Sequence, residues 1–181
     1  MRICSGFGRW ILTAPPSVWS REETPPYFCT PVGAEYVGWI GCDGVHFVLL
    51  PGDERVFCVD PAMGEEGTYV LPVGEDFREF LSFVLYCRDA NPLSQIWWME
   101  EPRFRQMLTE DAEVRWEGGE EFFAGKKAAL DTIARTFDLT PDLTPRDPYE
   151  KVKALQAAFD PACLTFSDEY YEVQGLDREE R

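Results

Sequence analysis

The residues of this chain best suited to chemistry are its single histidine, His46, and the nearby cysteine Cys58. An imidazole beside a thiol can lower the thiol's pKa and make it a nucleophile. Apolar runs cut by turn signals predict that the two lie on neighbouring strands of a hairpin. With Pro51-Gly52-Asp53 as its loop, Leu50 faces Glu54 and His46 faces Cys58. A two-residue loop would shift the register and part the pair. The plainer alternative is two partly buried residues on one sheet face, because no oxyanion site is evident. One histidine and no nucleophile elbow leave no Ser–His–Asp arrangement. Gly6-Phe7-Gly8 and Gly118-Gly119 lack the strand–turn–helix context of a phosphate loop, so no nucleotide site is assigned.

A second cluster is acidic: Glu110, Asp111, Glu113, Glu117, Glu120 and Glu121. Carboxylate oxygens can hold a divalent cation, but the spacing of an EF-hand loop is missing. A solvated loop and helix start accounts for these residues more simply. The third feature is Trp97-Trp98. Adjacent residues on a helix point about 100° apart, so both are buried only where the helix is covered on two sides. An exposed tryptophan is a common interface anchor, and core packing is the alternative. The candidate partner-binding residues are therefore Trp97, Trp98, Glu117, Glu120 and Glu121. No catalytic residue, cofactor or metal is assigned.

The surroundings of these residues narrow the field. The chain has 181 residues, enough for one domain that buries its own core. With 33 acidic against 17 basic residues, its formal charge is −16. Such a surface repels nucleic-acid phosphates and anionic membranes, and it steers a basic protein partner inward. The charge also serves simple solubility. Six cysteines form no CxxC pair. Met1-Arg2 leads into SGFGRW and not into an apolar leader, and no apolar run is long enough to span a membrane. The expectation is a cytoplasmic protein with all six thiols free.

The elements that must position the candidates follow from periodicity. Residues 1–35 read as an extended proline-rich arm, pinned by Trp10, Trp19, Tyr27 and Phe28. Residues 36–90 form a core. Strands are expected over 36–41, 46–50, 55–59 and 69–73, with Asp43-Gly44, Pro51-Gly52-Asp53 and Asp60-Pro61 as turns or stops. The apolar period then changes from two to 3.6, predicting a helix over 75–87 with Gly74 as N-cap. Its stripe is Phe77, Phe80, Leu81, Val84 and Leu85. Residues 91–174 read as a helical extension of the same domain. Helices are expected over 92–99, from Pro102 through Leu108, over 120–137, and from Asp147-Pro148 onward. Residues 109–121 read as a loop, 140–146 as a link, 163–166 as a final strand and 175–181 as a frayed tail. The fold class is α+β: a small antiparallel meander with helices packed on it and a helical C-terminal extension.

The segment GWIGCDGVHFVLLPGDERVFCVDP, followed by YVLPVGEDFREFL, resembles the core of the SUKH superfamily. Asp43-Gly44, Asp60-Pro61 and Phe77-Arg78-Glu79-Phe80-Leu81 occupy the places of that core's turn, strand end and F-x-x-F-L helix. The group includes a fungal cell-wall regulator family and many bacterial immunity proteins. The leucine-proline helix that usually begins such domains is not evident in residues 1–35, where the proline-rich arm stands. The resemblance implies a non-enzymatic binding domain that acts by protein–protein contact, for example against a basic toxin. It brings no catalytic residues. The alternative class is a small enzyme or ligand-binding domain using His46 and Cys58 or a carboxylate cleft. A homodimer that buries the aromatic arm is a third expectation to test.

Overall fold

The computed structural model describes residues 27–40, 43–66, 68–139 and 147–176. Most of the expected arm, the link 140–146 and the end of the tail lie outside the described residues, as do Cys4 and Cys42.

The turn-punctuated apolar runs become strands β1 (Glu35–Trp39), β2 (His46–Leu49), β3 (Val56–Val59) and β4 (Val70–Gly74). They form one antiparallel sheet in the order β1-β2-β3-β4, the meander that short connections impose. Between β1 and β2, Asp43 (φ 54°) and Gly44 (φ 72°) both adopt the left-handed backbone that Asp-Gly tolerates. Gly44 is required on a second count. The Tyr27 ring lies 2.5 Å from where a Cβ would stand.

The β2–β3 register differs from expectation by one residue. His46 pairs with Val59, Phe47 with Cys58, and the ladder closes at Leu49 and Val56. Asp53 causes the change. Its carboxylate accepts from the Arg55 backbone N–H at 2.9 Å and pairs with the Arg55 guanidinium at 2.6 Å, so Glu54 and Arg55 belong to the loop. A slip of one residue reverses every side chain on a strand. Phe47, Val56 and Cys58 consequently face one core, and Val48, Phe57 and Val59 the other.

Helix α1 (Phe77–Cys87) covers the first face. Its N-cap is Asp76, not Gly74, which ends β4. The Asp76 side chain accepts from the Glu79 N–H at 2.7 Å, and the Glu79 carboxylate accepts from the Glu75 N–H at 2.8 Å. This reciprocal arrangement satisfies two otherwise orphaned donors. Phe80, Leu81, Phe83, Val84 and Cys87 are buried. Burying each large side chain contributes about 1.5–3 kcal/mol. Phe77 is only half-buried, at the end of the stripe, with its ring 5.7 Å from Phe137.

Helix α2 (Asn91–Gln95) ends earlier than predicted, so Trp97 and Trp98 lie in the turn beyond it. Helix α3 (Glu101–Glu113) runs on through the first part of the expected loop. Near its acidic end, one carboxylate is bonded from within the helix. Glu110 accepts from Arg103 at 3.0 Å and from Gln106 at 2.8 Å. Helix α4 (Glu120–Thr136) follows, and none of its residues is fully buried. It is held at its C-terminal end by Arg78, which donates to the Phe137 and Asp138 carbonyls at 2.5 and 2.8 Å. Midway, Lys126 pairs with Asp89.

Helix α5 (Pro148–Ala157) starts from the cap Asp147, as the Asp-Pro step predicts. Arg105 ties that cap to α3, pairing with Asp147 and with Glu101 at 2.8 Å. In place of a final strand, a 3₁₀ turn (Pro161–Cys163) leads into extended chain that meets Val32 through one bond, Val32 N–H to Thr165 C=O at 2.8 Å. A further helix, α6 (Asp168–Gln174), closes at Gly175 in the left-handed region, φ 67°. This segment covers the second sheet face. Phe159 packs on Phe57 at 5.4 Å, Tyr170 on Tyr69 at 5.8 Å, and Gln174 donates to the Tyr69 hydroxyl at 2.5 Å. The sheet is therefore sandwiched between helices and a C-terminal strap.

Candidate protein-docking surface

His46 and Cys58 do not meet in the way the three-residue loop predicts. The one-residue register change sends Cys58 into the α1 side of the sheet and His46 to the opposite side. Burial, followed by the charge of Asp60, pushes the Cys58 thiol well above its ordinary pKa. A thiol held protonated is a poor nucleophile.

His46 instead closes a buried polar cluster. Its Nδ1 donates to the Gly44 carbonyl at 2.7 Å. A carbonyl only accepts, so Nδ1 carries the proton and Nε2 accepts from the Thr30 hydroxyl at 3.1 Å. The ring stacks on Tyr36 with centroids 4.8 Å apart. Burial lowers the His46 pKa, partly offset by the bond to Gly44. With both ring nitrogens satisfied, the imidazole stays neutral and clips residues 27–30 to the sheet. Cys29, next to Thr30 in the chain, is pushed up to about 12, chiefly by burial. Among the described residues, no group of three or more His, Cys, Asp or Glu is placed to hold a metal ion.

The candidate binding residues fall into two patches. Trp98 is 53% exposed, while Trp97 is half-buried with its indole N–H enclosed and without an acceptor among the described residues. The Trp97 carbonyl accepts from Lys153 at 3.0 Å. Both tryptophans stand at the start of α3. Glu117, Glu120 and Glu121 stand beyond its other end, and 13 helical residues span about 20 Å. The structure does not bring the two groups together.

The acidic cluster is itself divided. Glu110 is bonded within α3 as described. Asp111 is raised by partial burial and by Asp89 and Glu110, against the lowering effect of Lys126. Glu113, Glu117, Glu120 and Glu121 are exposed, with no ion-pair partner among the described residues. Of the neighbouring cations, Lys126 pairs with Asp89 and Lys127 with Asp131 at 2.6 Å, while Arg115 lies over the Phe123 ring at 4.8 Å.

Between these glutamates lies a group that sequence reasoning missed. Trp116 packs on Phe122 at 5.0 Å and on Phe123 at 4.5 Å, and Phe122 meets Phe123 edge-on at 5.4 Å. Trp116 is 49% exposed and Val114 44%. None of the four belongs to either apolar core. The signal was present as W-x-x-x-x-x-F-F spanning Gly118-Gly119, hidden inside a stretch read as a solvated loop. Gly118 makes the turn at φ 77°. Gly119 lets the rings close over the backbone, since a Cβ there would lie 2.7 Å from the Trp116 Nε1 and 2.9 Å from Phe123. The elbow is a built aromatic platform rimmed by exposed carboxylates.

No protein-family model, curated protein or solved structure matches this chain. Among the described residues, no helix is long and apolar enough to cross a membrane.

Proposed function

We propose that this chain is a non-enzymatic protein-binding module with a SUKH-like core, acting as an immunity or regulatory protein by contact with a basic partner. The observation that carries the proposal is the set of exposed glutamates Glu117, Glu120 and Glu121, without ion-pair partners among the described residues, at the α3–α4 elbow of a chain with charge −16. Carboxylates left without internal partners stabilise little within the fold and are available to an incoming cation. The reading also draws on the sequence order of turn, strand, stop and F-x-x-F-L helix that carries the resemblance. In this chain Asp43-Gly44 lies between β1 and β2, Asp60 follows β3, and α1 follows β4.

The test begins with affinity capture from the native organism and identification of the partner. Association is then measured against salt for the native chain and for E117Q/E120Q/E121Q. The expected result is association slowed several-fold, a flatter salt dependence and dissociation changed less, because rim charges act over about 8–10 Å at physiological salt. An acidic partner, or association equally fast at low and high salt, would remove the electrostatic basis of the proposal.

A further inference from the structure

We infer that the Trp116–Phe122–Phe123 elbow is the anchoring surface for a basic amphipathic segment of the partner, in which an apolar side chain seats against the rings and flanking lysines or arginines meet Glu113, Glu117, Glu120 and Glu121. The inference rests on the protein-binding reading and gives it a site and a partner chemistry.

Three observations converge on this surface. The rings form a cluster separate from both cores, with Trp116 and Val114 each more than two-fifths exposed, so they contribute less to the fold than buried aromatics of the same size. The platform is preorganised. Gly119 admits the Trp116 ring against the backbone, and its carbonyl accepts the Phe123 N–H at 3.0 Å, fixing the start of α4 beneath the rings. Finally, the rim is net negative: its four glutamates have no ion-pair partner among the described residues, Lys126 and Lys127 pair with Asp89 and Asp131, and Arg115 over Phe123 sets a single positive charge against them. Arg115 over Phe123 shows that a guanidinium can lie on this ring group.

The same charge decides between occupants. Two copies of the chain meeting at this elbow would oppose their unpaired glutamates and add two bodies of charge −16. An acidic or neutral segment would leave the rim unmatched. A segment with an apolar face and a basic flank satisfies both parts of the surface at once, in the manner of helix-in-groove recognition.

The experiment uses the full chain and a synthetic amphipathic lysine–leucine peptide as the probe. Controls are a lysine-only peptide of equal charge and a glutamate–leucine peptide. Binding is measured by calorimetry and mapped by amide shifts in NMR spectra. The expected result is that the lysine–leucine peptide binds at least tenfold more tightly than either control and perturbs residues 114–123. Trp116→Ala should weaken it at least tenfold with the salt dependence retained. E117Q/E120Q/E121Q should weaken it and flatten that dependence. Val173→Ala, at another exposed apolar position on α6, should leave it unchanged. Thermal unfolding of each variant checks that the fold persists, and Trp116→Phe, which keeps an aromatic ring, should restore part of the affinity if Trp116→Ala disturbs the elbow.

Equal binding of the lysine-only peptide would reduce the surface to charge alone and overturn the anchor. So would a footprint elsewhere, or no binding at millimolar peptide. A native dimer dissociated by Trp116→Ala would assign the elbow to a second copy and overturn the basic-segment occupant. A captured natural partner that ignores Trp116→Ala would remove this surface while leaving the protein-binding reading intact. Failure to recover any partner, with the peptide results as expected, would do the reverse.

Discussion

Phe80→Ala tests the packing on which every other assignment depends. Phe80 is fully buried in α1, its ring 5.0 Å from Phe47 on β2 and 6.2 Å from Phe77. Its Cβ also lies 2.9 Å from where a side chain on Gly74 would begin, so helix and β4 meet there without spare room. Truncation to alanine removes most of a ring from a site hemmed in by strand backbone, and collapse of the cavity is restricted. Phe→Ala changes of this kind cost about 3–5 kcal/mol. That is a large part of the ~5–15 kcal/mol that holds a typical domain together. In urea, with a slope of about 2 kcal/mol per molar, the midpoint should fall by about 2 M. Phe77→Ala is the internal comparison. Its ring is half-buried and rests on Phe137, so its removal should cost about 1–2 kcal/mol. A Phe80→Ala loss below about 1 kcal/mol, or a larger loss for Phe77→Ala, would mean that α1 presents a different face to the sheet.

His46 should titrate below 6.5, its ordinary value, because burial lowers its pKa; as the chain has one histidine, its NMR titration is unambiguous. The unfolded chain then takes up a proton that the folded chain resists, so this contribution is complete above pH ~6.5 and is lost as pH falls through the lower folded pKa. His46→Gln should flatten that part of the stability profile, and a native midpoint at or above 6.5 would refute the buried neutral clip. Maleimide at neutral pH should label exposed Cys163 before Cys29, Cys58 and Cys87, all of them buried, and fast labelling of Cys58 would revive the thiol-nucleophile alternative. Gly119→Ala should push the Trp116 ring outward at a cost of about 1 kcal/mol, low for overpacking because that ring is half-exposed. Near-UV circular dichroism should lose Trp116 signal, and an unchanged spectrum would show that the rings do not close over this glycine.

The meander and α1 were legible because each local signal agreed with its neighbour. Asp43-Gly44 marks a turn, alternation marks the strands, and the change to a 3.6-residue period marks the helix. What failed was register. The sequence around Pro51-Gly52-Asp53 offers several loop lengths, and the choice rests on the Asp53–Arg55 contact, which composition alone does not reveal. One residue of slip was enough to separate His46 from Cys58. The cap of α1 moved from Gly74 to Asp76 for a related reason, since Gly74 is still needed in β4 to let Phe80 approach. The helix α6 had readable ends, Ser167 before an acidic first turn and Gly175 after its last residue, but short amphipathic segments give weak periodicity.

The elbow is masked in the sequence because its carboxylates outnumber its rings. Six carboxylates in the 109–121 region look like a solvated loop, yet solvation of a carboxylate says nothing about the ring beside it. Glu110 and Asp111 sit on helix α3 and meet Arg103, Gln106 and Lys126, so part of the apparent surplus is internal structure. The remaining glutamates flank Trp116, Phe122 and Phe123. Glu120 and Glu121 also occupy the first turn of α4, where each can stabilise the helix by about 0.3–1 kcal/mol through its dipole. That structural role predicts a lower melting temperature for E120Q/E121Q but no loss of salt-dependent binding. The docking role predicts the binding loss as well. Glu117, which precedes the helix in the turn, separates the two. Glu117→Gln alone should leave the melting temperature unchanged while weakening lysine–leucine peptide binding, and unchanged binding would return the acidic rim to a purely structural account.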